Sequence, residues 1–135
     1  MQGKTLFISG GTRGIGKAIV YAFAKEGCDV AFTYASSSDT AEAIVADLES
    51  NYGVKSRAYK LNILEPNTYK DVFLEFDKDF DRLDFFISNA IISGRAVVGG
   101  FGPFMRLKPK GLGNIYTATV EAFVVGAQEA AKRRE

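Results

Sequence analysis

Thr5-Leu6-Phe7-Ile8-Ser9-Gly10-Gly11-Thr12-Arg13-Gly14-Ile15-Gly16-Lys17-Ala18-Ile19-Val20-Tyr21-Ala22-Phe23-Ala24-Lys25-Glu26-Gly27 changes its hydrophobic period in the middle. Lys4 to Ser9 is a short apolar run closed by glycines, which reads as a buried strand. From Ile15 the period becomes helical. Ile15, Ala18, Ile19, Ala22 and Phe23 share one face, and Gly27 stops the helix. Between the two lies Gly10 to Gly16. A phosphate-binding turn needs one glycine for the tight turn and another to let backbone approach a pyrophosphate. A third lets helix pack on strand. Free N–H groups and the positive end of the helix then meet the phosphates.

A rival pattern overlaps this loop. Gly11 to Lys17 matches the first seven positions of a nucleoside-triphosphate P-loop, but the eighth, which should be Ser or Thr for magnesium, is Ala18. No strand ends in the aspartate that would complete such a metal site. The dinucleotide reading is the better supported of the two.

The rhythm continues outward. Asp29 to Tyr34 is a second strand, and Ser36-Ser37-Ser38-Asp39 offers N-cap chemistry with Glu42 three residues after Asp39. Ala41, Ile44, Val45 and Leu48 line the core side of that helix, and Gly53 follows its end. Arg57 to Ile63 is a third strand. Pro66 suits a first helical position, with Tyr69, Val72, Phe73, Phe76 and Phe80 as the stripe behind it. Leu83 to Ser88 is a fourth strand. Strands separated by helices predict right-handed crossovers and a parallel sheet covered on both faces. The expected fold is a Rossmann-type, doubly wound α/β half-sheet of strand order 3-2-1-4, one domain over residues 1–135. Residues 91–113 break the beat with six of the fourteen glycines and two of the three prolines, which reads as a functional loop. A long last helix is expected from about Leu112 to Arg134.

Composition removes several mechanisms. The 135 residues contain no histidine, so no Ser-His-Asp or Cys-His nucleophile and no histidine metal site can form. The single cysteine, Cys28, allows no intrachain disulfide or thiolate cluster and reads as a small buried filler. A net charge of +1 gives no field directed at nucleic acid or an anionic membrane. No apolar run reaches the ~20 residues of a membrane helix, and no signal-peptide anatomy precedes Thr5. The cytoplasm is the expected compartment.

The end of the second strand bears on the cofactor. A site for NAD carries Asp or Glu there to bond the ribose hydroxyls. Here Tyr34-Ala35-Ser36-Ser37 stands instead, with no acid before Asp39. Hydroxyls and the guanidinium of Arg13 can receive a 2′-phosphate. NADPH is therefore expected over NADH.

These segments together resemble the short-chain dehydrogenase/reductase family. Ser9 to Gly16 is similar to its Thr-Gly-x-x-x-Gly-x-Gly motif, with Ser9 in the threonine's place. Asn62-Ile63 resembles the Asp-Val or Asp-Leu pair beneath the adenine, and Ser88-Asn89-Ala90-Ile91 the Asn-Asn-Ala-Gly motif after the fourth strand. Ala127 to Lys132 resembles a helix of the enoyl-acyl-carrier-protein reductase branch, which reduces an enoyl thioester in fatty-acid synthesis. The resemblance implies a cofactor site built from Gly10, Thr12, Arg13, Gly14, Ile15, Gly16, Tyr34, Ser36, Asn62, Ile63, Asn89 and Ala90.

Relatives place catalysis on a Ser and a Tyr-x-x-x-Lys pair in their second halves. There the tyrosine donates a proton, and the lysine lowers its pKa and holds the ribose. No catalytic residue is assigned among these 135. Tyr21 to Lys25 has that spacing but lies in the first helix, beside the packing side. The asparagine that relays protons in many relatives aligns with Thr119, and Asn114 is more than a turn away.

The expectation is the NADP(H)-binding portion of an enoyl-thioester reductase; the alternative is a non-catalytic nucleotide-binding or assembly module. Residues 1–135 alone are expected to lack turnover. Arg95, Arg106 and Lys108 are candidates for contact with an acyl carrier protein or a thioester phosphate. A homo-oligomer, dimer or tetramer, is expected through the last helix, which packs against a neighbouring subunit in relatives. The fourth strand's edge, with Leu83, Phe85, Phe86 and Ile87, is the other expected route.

Overall fold

The computed structural model describes residues 1–90 and 108–133. The order is β1 (Thr5–Ser9), α1 (Gly14–Lys25), β2 (Asp29–Tyr34), α2 (Ser38–Tyr52), β3 (Ser56–Lys60), α3 (Thr68–Asp79) and β4 (Phe85–Ser88). Then come α4 (Pro109–Tyr116), a π-helical turn (Thr117–Glu121) and α5 (Ala122–Ala131). The four strands form one parallel sheet in the order β3-β2-β1-β4, as the alternation of periods predicts. Phe7 of β1 pairs with Ala31 on one side and Phe86 on the other, so β1 is central and buried along its whole length.

Alternate residues of β1 supply two cores, one on each face of the sheet. Leu6 and Ile8 join Val30, Phe32, Val20, Ile44 and Leu48 under α1 and α2. Phe7 points the other way into Tyr69, Val72, Phe73 and Phe76 of α3 and Ala122 and Ala130 of α5. The rings are tightly arranged: Phe7 stacks on Phe73 at 4.5 Å between centroids and on Phe86 at 5.8 Å. At the amino end of β1, Asp84 accepts the Thr5 N–H at 2.8 Å and its own N–H returns to the Thr5 carbonyl at 2.9 Å. Arg133 closes α5 onto α3 by forking to both carboxylate oxygens of Asp77, at 2.7 and 2.9 Å.

Several local expectations are corrected. The buried face of α1 is Gly16, Val20 and Ala24; Ile15, Ala18 and Ala22 are exposed. The helix is turned by about one residue so that Gly16, where a β-carbon would meet the Gly10 carbonyl, takes the closest approach, with Val20 and Ala24 following on the same face. Helix α2 starts at Ser38 with Ser37 as N-cap and no side-chain cap bond, so Asp39 and Glu42 form no capping box. Instead the Ser37 carbonyl accepts the Ala41 N–H at 3.0 Å. Pro66 precedes α3 rather than opening it; its carbonyl caps Tyr69 N–H at 3.0 Å in a tight turn.

Strands β3 and β4 are shorter than the apolar runs: Ile63 and Leu83 are buried beyond the strand ends, and Leu61 adds one bond past β3, its N–H donating to the Tyr34 carbonyl at 3.0 Å. Leu83 therefore belongs to the core, not to an open edge. The last helix begins at Pro109, three residues before Leu112, so the expected loop ends earlier, and a π-helical turn interrupts it. Arg95 and Arg106 lie outside the described residues; Lys108 is exposed just before α4.

Candidate functional site

A cavity of about 590 Å³ opens at the carboxyl ends of the strands. It is lined by the loop after β1 (Gly10, Thr12, Arg13, Gly14, Ile15), the end of β2 (Thr33, Tyr34, Ala35), Leu61-Asn62-Ile63 and Asn89-Ala90. In an open parallel sheet this is the crevice where ligands sit.

The loop is shaped by close backbone approach. Gly10 has φ +78°, and a β-carbon there would meet the Ala90 α-carbon at 2.9 Å. At Gly16 a β-carbon would meet the Gly10 carbonyl oxygen at 1.8 Å, and at Gly11 the Phe32 side chain at 2.7 Å. Thr33 holds the loop from β2: its hydroxyl accepts Gly10 N–H and its carbonyl accepts Gly11 N–H, each at 3.1 Å. Ser9, at the end of β1, and Asn89, just after β4, tie it to the β4 side. The Ser9 hydroxyl accepts Asn89 N–H at 3.0 Å and Ala90 N–H at 3.1 Å, while the Asn89 amide donates to the Gly10 carbonyl at 2.9 Å.

Helix α1 begins without a side-chain cap and without an acid in its first turn. Its first internal bond is Lys17 N–H to the Arg13 carbonyl, so the N–H groups of Gly14, Ile15 and Gly16 have no acceptor within the helix. Arg13 is the one charged residue among the described lining residues. Unfilled donors, a helix's positive end and one guanidinium make a site for an anion with an apolar neighbour.

Ten of the twelve residues named from the sequence line this cavity. Gly16 does not: it is buried beneath the loop and sets the helix-to-strand contact. Ser36 does not either; it is exposed beyond the rim, where its carbonyl accepts Ser38 N–H at 3.2 Å. Thr33, Ala35 and Leu61 line the cavity without having been named. Thr33 was detectable as the polar residue of a buried strand that ends at the loop. Asn62 is tied into its own turn, accepting Leu64 N–H at 3.0 Å and donating to Glu65 at 3.1 Å. Ile15 is 74% exposed at the cavity wall, which suits an apolar contact for a ligand better than the core role its period suggested.

Tyr21 and Lys25 are not part of the cavity. The Tyr21 phenol donates to Asp47 of α2 at 2.6 Å, and burial together with that carboxylate pushes it up to about 12. A catalytic phenol needs the opposite shift. Lys17, which a P-loop would aim at phosphates, lies 6.0 Å from the Tyr21 ring and is also outside the cavity. Cys28 is fully buried, with its thiol close to the Lys4 carbonyl at 3.2 Å; burial raises it to about 11, so it is an inert filler. Neither Asn114 nor Thr119 lines the cavity.

Comparison with known proteins fits this architecture. A family model described as short chain dehydrogenase matches residues 4–133. A sorbose reductase of Candida albicans is 42% identical over 90 residues, 67% of this chain and 31% of its own. A 3-oxoacyl-(acyl-carrier-protein) reductase of Staphylococcus epidermidis is 36% identical over 90 residues, 67% of this chain and 36% of its own. Among solved structures, a short chain dehydrogenase of Burkholderia cenocepacia in complex with NADP superposes with a TM-score of 0.86 at 32% identity. That superposition covers 98% of this chain and 51% of the other. The matched region is thus about a third of the length of these curated relatives and about half of the solved structure. The fold, the glycine loop and the family match converge: the chain belongs to the short-chain dehydrogenase family.

Proposed function

We propose that the chain is the NADP(H)-binding portion of a short-chain oxidoreductase acting on an acyl thioester. One observation carries the cofactor reading: Arg13 is the lone charge beside an uncapped helix start, with no carboxylate at the end of β2. The cradle fits, since Gly10 and Gly16 let the loop close against Ala90 and let the helix start sit against the Gly10 carbonyl, approaches that no side chain would allow. The N–H groups of Gly14 and Ile15 would hold the pyrophosphate, and Arg13 the 2′-phosphate. Ile15, Ile63 and Asn62 would flank the adenine, and Asn89 and Ala90 would floor the path towards the nicotinamide. NADPH bound there supplies a hydride.

The substrate class expected from the sequence, an enoyl thioester, shares its carrier with the 3-oxoacyl reductase among the relatives. The names of the curated relatives favour a carbonyl as the hydride acceptor over a carbon–carbon double bond. An acyl carrier protein or a free thioester substrate is the partner this reading implies, and exposed Lys108 is one basic residue available to it.

A second reading rests on Tyr21. It belongs to the one Tyr-x-x-x-Lys within these 135 residues, and it is held against Asp47 with a raised pKa. Residues 1–135 by themselves would then bind cofactor without turnover.

Calorimetric titration with NADPH, NADH and Mg-ATP tests the cofactor reading. NADPH should bind most tightly. Arg13→Ala should cut the NADPH preference by about 10-fold to 100-fold, the worth of a charge-assisted hydrogen bond. An unchanged ratio removes Arg13 as the phosphate ligand, and tighter ATP binding restores the P-loop reading.

A further inference from the structure

Thr33 is 2% exposed, a hydroxyl residue inside the buried part of β2. Strand β2 pairs with β1 as far as Ile8 and Phe32. Thr33 comes next, and both of its oxygens serve the glycine turn. Its hydroxyl accepts Gly10 N–H and its carbonyl accepts Gly11 N–H, each at 3.1 Å. One residue thus carries the hold of β2 on β1 past the end of the ladder, into a turn where Gly10 stands at φ +78°. Valine would suit a buried strand equally well, but it offers Gly10 no acceptor.

The hold is matched from the other side. The Asn89 amide donates to the Gly10 carbonyl at 2.9 Å, so Gly10 is fixed at its N–H by β2 and at its carbonyl by the segment after β4. Only Thr33 of these two also restrains Gly11. The result is a division of backbone donors. The N–H groups of Gly10 and Gly11 are spent on Thr33, and those of Asn89 and Ala90 on the Ser9 hydroxyl. Those of Gly14, Ile15 and Gly16 have no acceptor within α1. Among these groups an anion meets free donors at the helix start alone, and the Gly10–Gly11 turn sets how that start is presented.

We propose that Thr33 is a positioning residue for the pyrophosphate: by holding Gly10 N–H, its hydroxyl sets the turn that aims the free N–H groups at the start of α1. This deepens the cofactor reading and rests on it for the affinity measurements alone. Groups that touch a ligand keep their geometry only when others lock them in place. Thr33 also lines the cavity, so direct contact with the ligand is the rival role that the experiment must separate.

The test is Thr33→Val, which keeps the branched shape and removes the acceptor; Thr33→Ala, which also lacks it, should behave alike. In the nitrogen–proton spectrum of the protein without ligand, the Gly10 amide signal should move and its exchange with solvent should quicken. NADPH affinity, measured by calorimetry, should fall about 3-fold to 10-fold, the loss carried by one neutral hydrogen bond. NADH affinity should fall by the same factor, because the turn serves the pyrophosphate common to both and Arg13 is untouched. Thr33→Ser keeps the hydroxyl and should restore the amide signal and both affinities. Val30→Ala, in the core under the same strand, is a control that lowers Tm without changing affinity. An unmoved Gly10 amide or unchanged affinity in Thr33→Val overturns the proposal, as does a Thr33→Ser variant no better than Thr33→Val. A loss confined to NADPH also overturns it, and would make Thr33 a ligand of the 2′-phosphate instead. If the wild-type protein binds neither dinucleotide, the cofactor reading fails, and the Gly10 amide still decides whether Thr33 holds the turn.

Discussion

A β-carbon on Gly16 would sit 1.8 Å from the carbonyl oxygen of Gly10, deep inside any van der Waals contact. The closest atom in the way is backbone, which cannot swing aside as a side chain can. The same β-carbon would lie 2.5 Å from the Asn89 amide nitrogen, which donates to that carbonyl. Gly16→Ala must therefore displace the loop, the helix start or both. We expect a loss of about 1–3 kcal/mol of stability, the usual cost of overpacking, together with loss of measurable NADPH binding. Gly14→Ala is the informative contrast. It strains φ at +59° but meets nothing within 4 Å, so it should cost stability and retain the loop-to-strand contacts. Chemical denaturation and calorimetry on both variants check this; equal binding by Gly16→Ala and wild type would refute it.

Tyr21 offers a prediction in the alkaline range. Its phenol is raised from 10.0 to about 12 by burial and then by Asp47, so the folded chain favours the protonated form. That preference stabilises the fold fully below pH 10 and is lost as pH rises through about 12. Tyr21→Phe should be less stable than wild type at neutral pH, and the gap should narrow above pH 10. NADPH affinity should not change, because Tyr21 lies outside the cavity. With a crotonyl or 3-oxoacyl thioester, residues 1–135 should oxidise NADPH far below a typical ~10 s⁻¹. Turnover at that rate, abolished by Tyr21→Phe, would make this tyrosine catalytic after all.

Asp84 gives the acid-side counterpart. Its hydrogen bond with Arg82 is the main cause that holds its carboxyl below the usual range, against an opposing push from burial. Its contribution is present above the unfolded carboxylate value of about 3.9 and is lost as pH falls below it. Asp84→Ala leaves the Thr5 N–H of a buried strand without its acceptor. It should cost about 1–3 kcal/mol at pH 7, with the difference shrinking towards pH 3. Urea melts at pH 7, 5 and 3 measure it; a pH-independent difference would mean that the carboxylate's charge plays no part.

The sheet order and the cavity were legible because each rests on a strong pattern. The glycines between Ser9 and Lys17 have one conformational use, and the apolar runs at Leu6, Val30 and Phe85 can only be buried strands once helices separate them. The face of α1 was misread because amphipathic reasoning ranks Ile15 above Gly16 as a core residue, whereas here contact distance decides and the smallest residue goes inside. Ser36 was misplaced for a related reason: composition marks a polar loop but cannot tell which residue of it turns to the cavity. Thr33 was missed as a site support although a polar residue inside a buried strand was the available signal; the fold brings its hydroxyl to the loop after β1.

The last prediction concerns assembly. We infer that the chain pairs with copies of itself through the surface of α4, the π-helical turn and α5. Leu112, Tyr116, Val120, Phe123 and Val124 are 44%, 60%, 43%, 47% and 44% exposed, and their three- and four-residue spacing puts them along one side. Ile115 is half-buried and Val125 packs on the core, so the surface is narrower than the helix's full apolar circumference. Strand β4 adds a second candidate edge, since among the described residues it pairs with β1 alone. Each large apolar side chain left wet forgoes roughly 1.5–3 kcal/mol, and five of them compare with the ~5–15 kcal/mol that holds a domain folded. A twofold arrangement lets one patch cover another. Light scattering at micromolar concentration should give at least twice the 14.7 kDa monomer mass. Val120→Lys with Phe123→Glu should return it to the monomer with the circular dichroism of the parent. If those changes leave the mass unchanged, the α4–α5 surface is not the interface and the edge of β4 remains the candidate. A folded wild-type species at the monomer mass would show that the chain covers these side chains itself, and the assembly would fall with it.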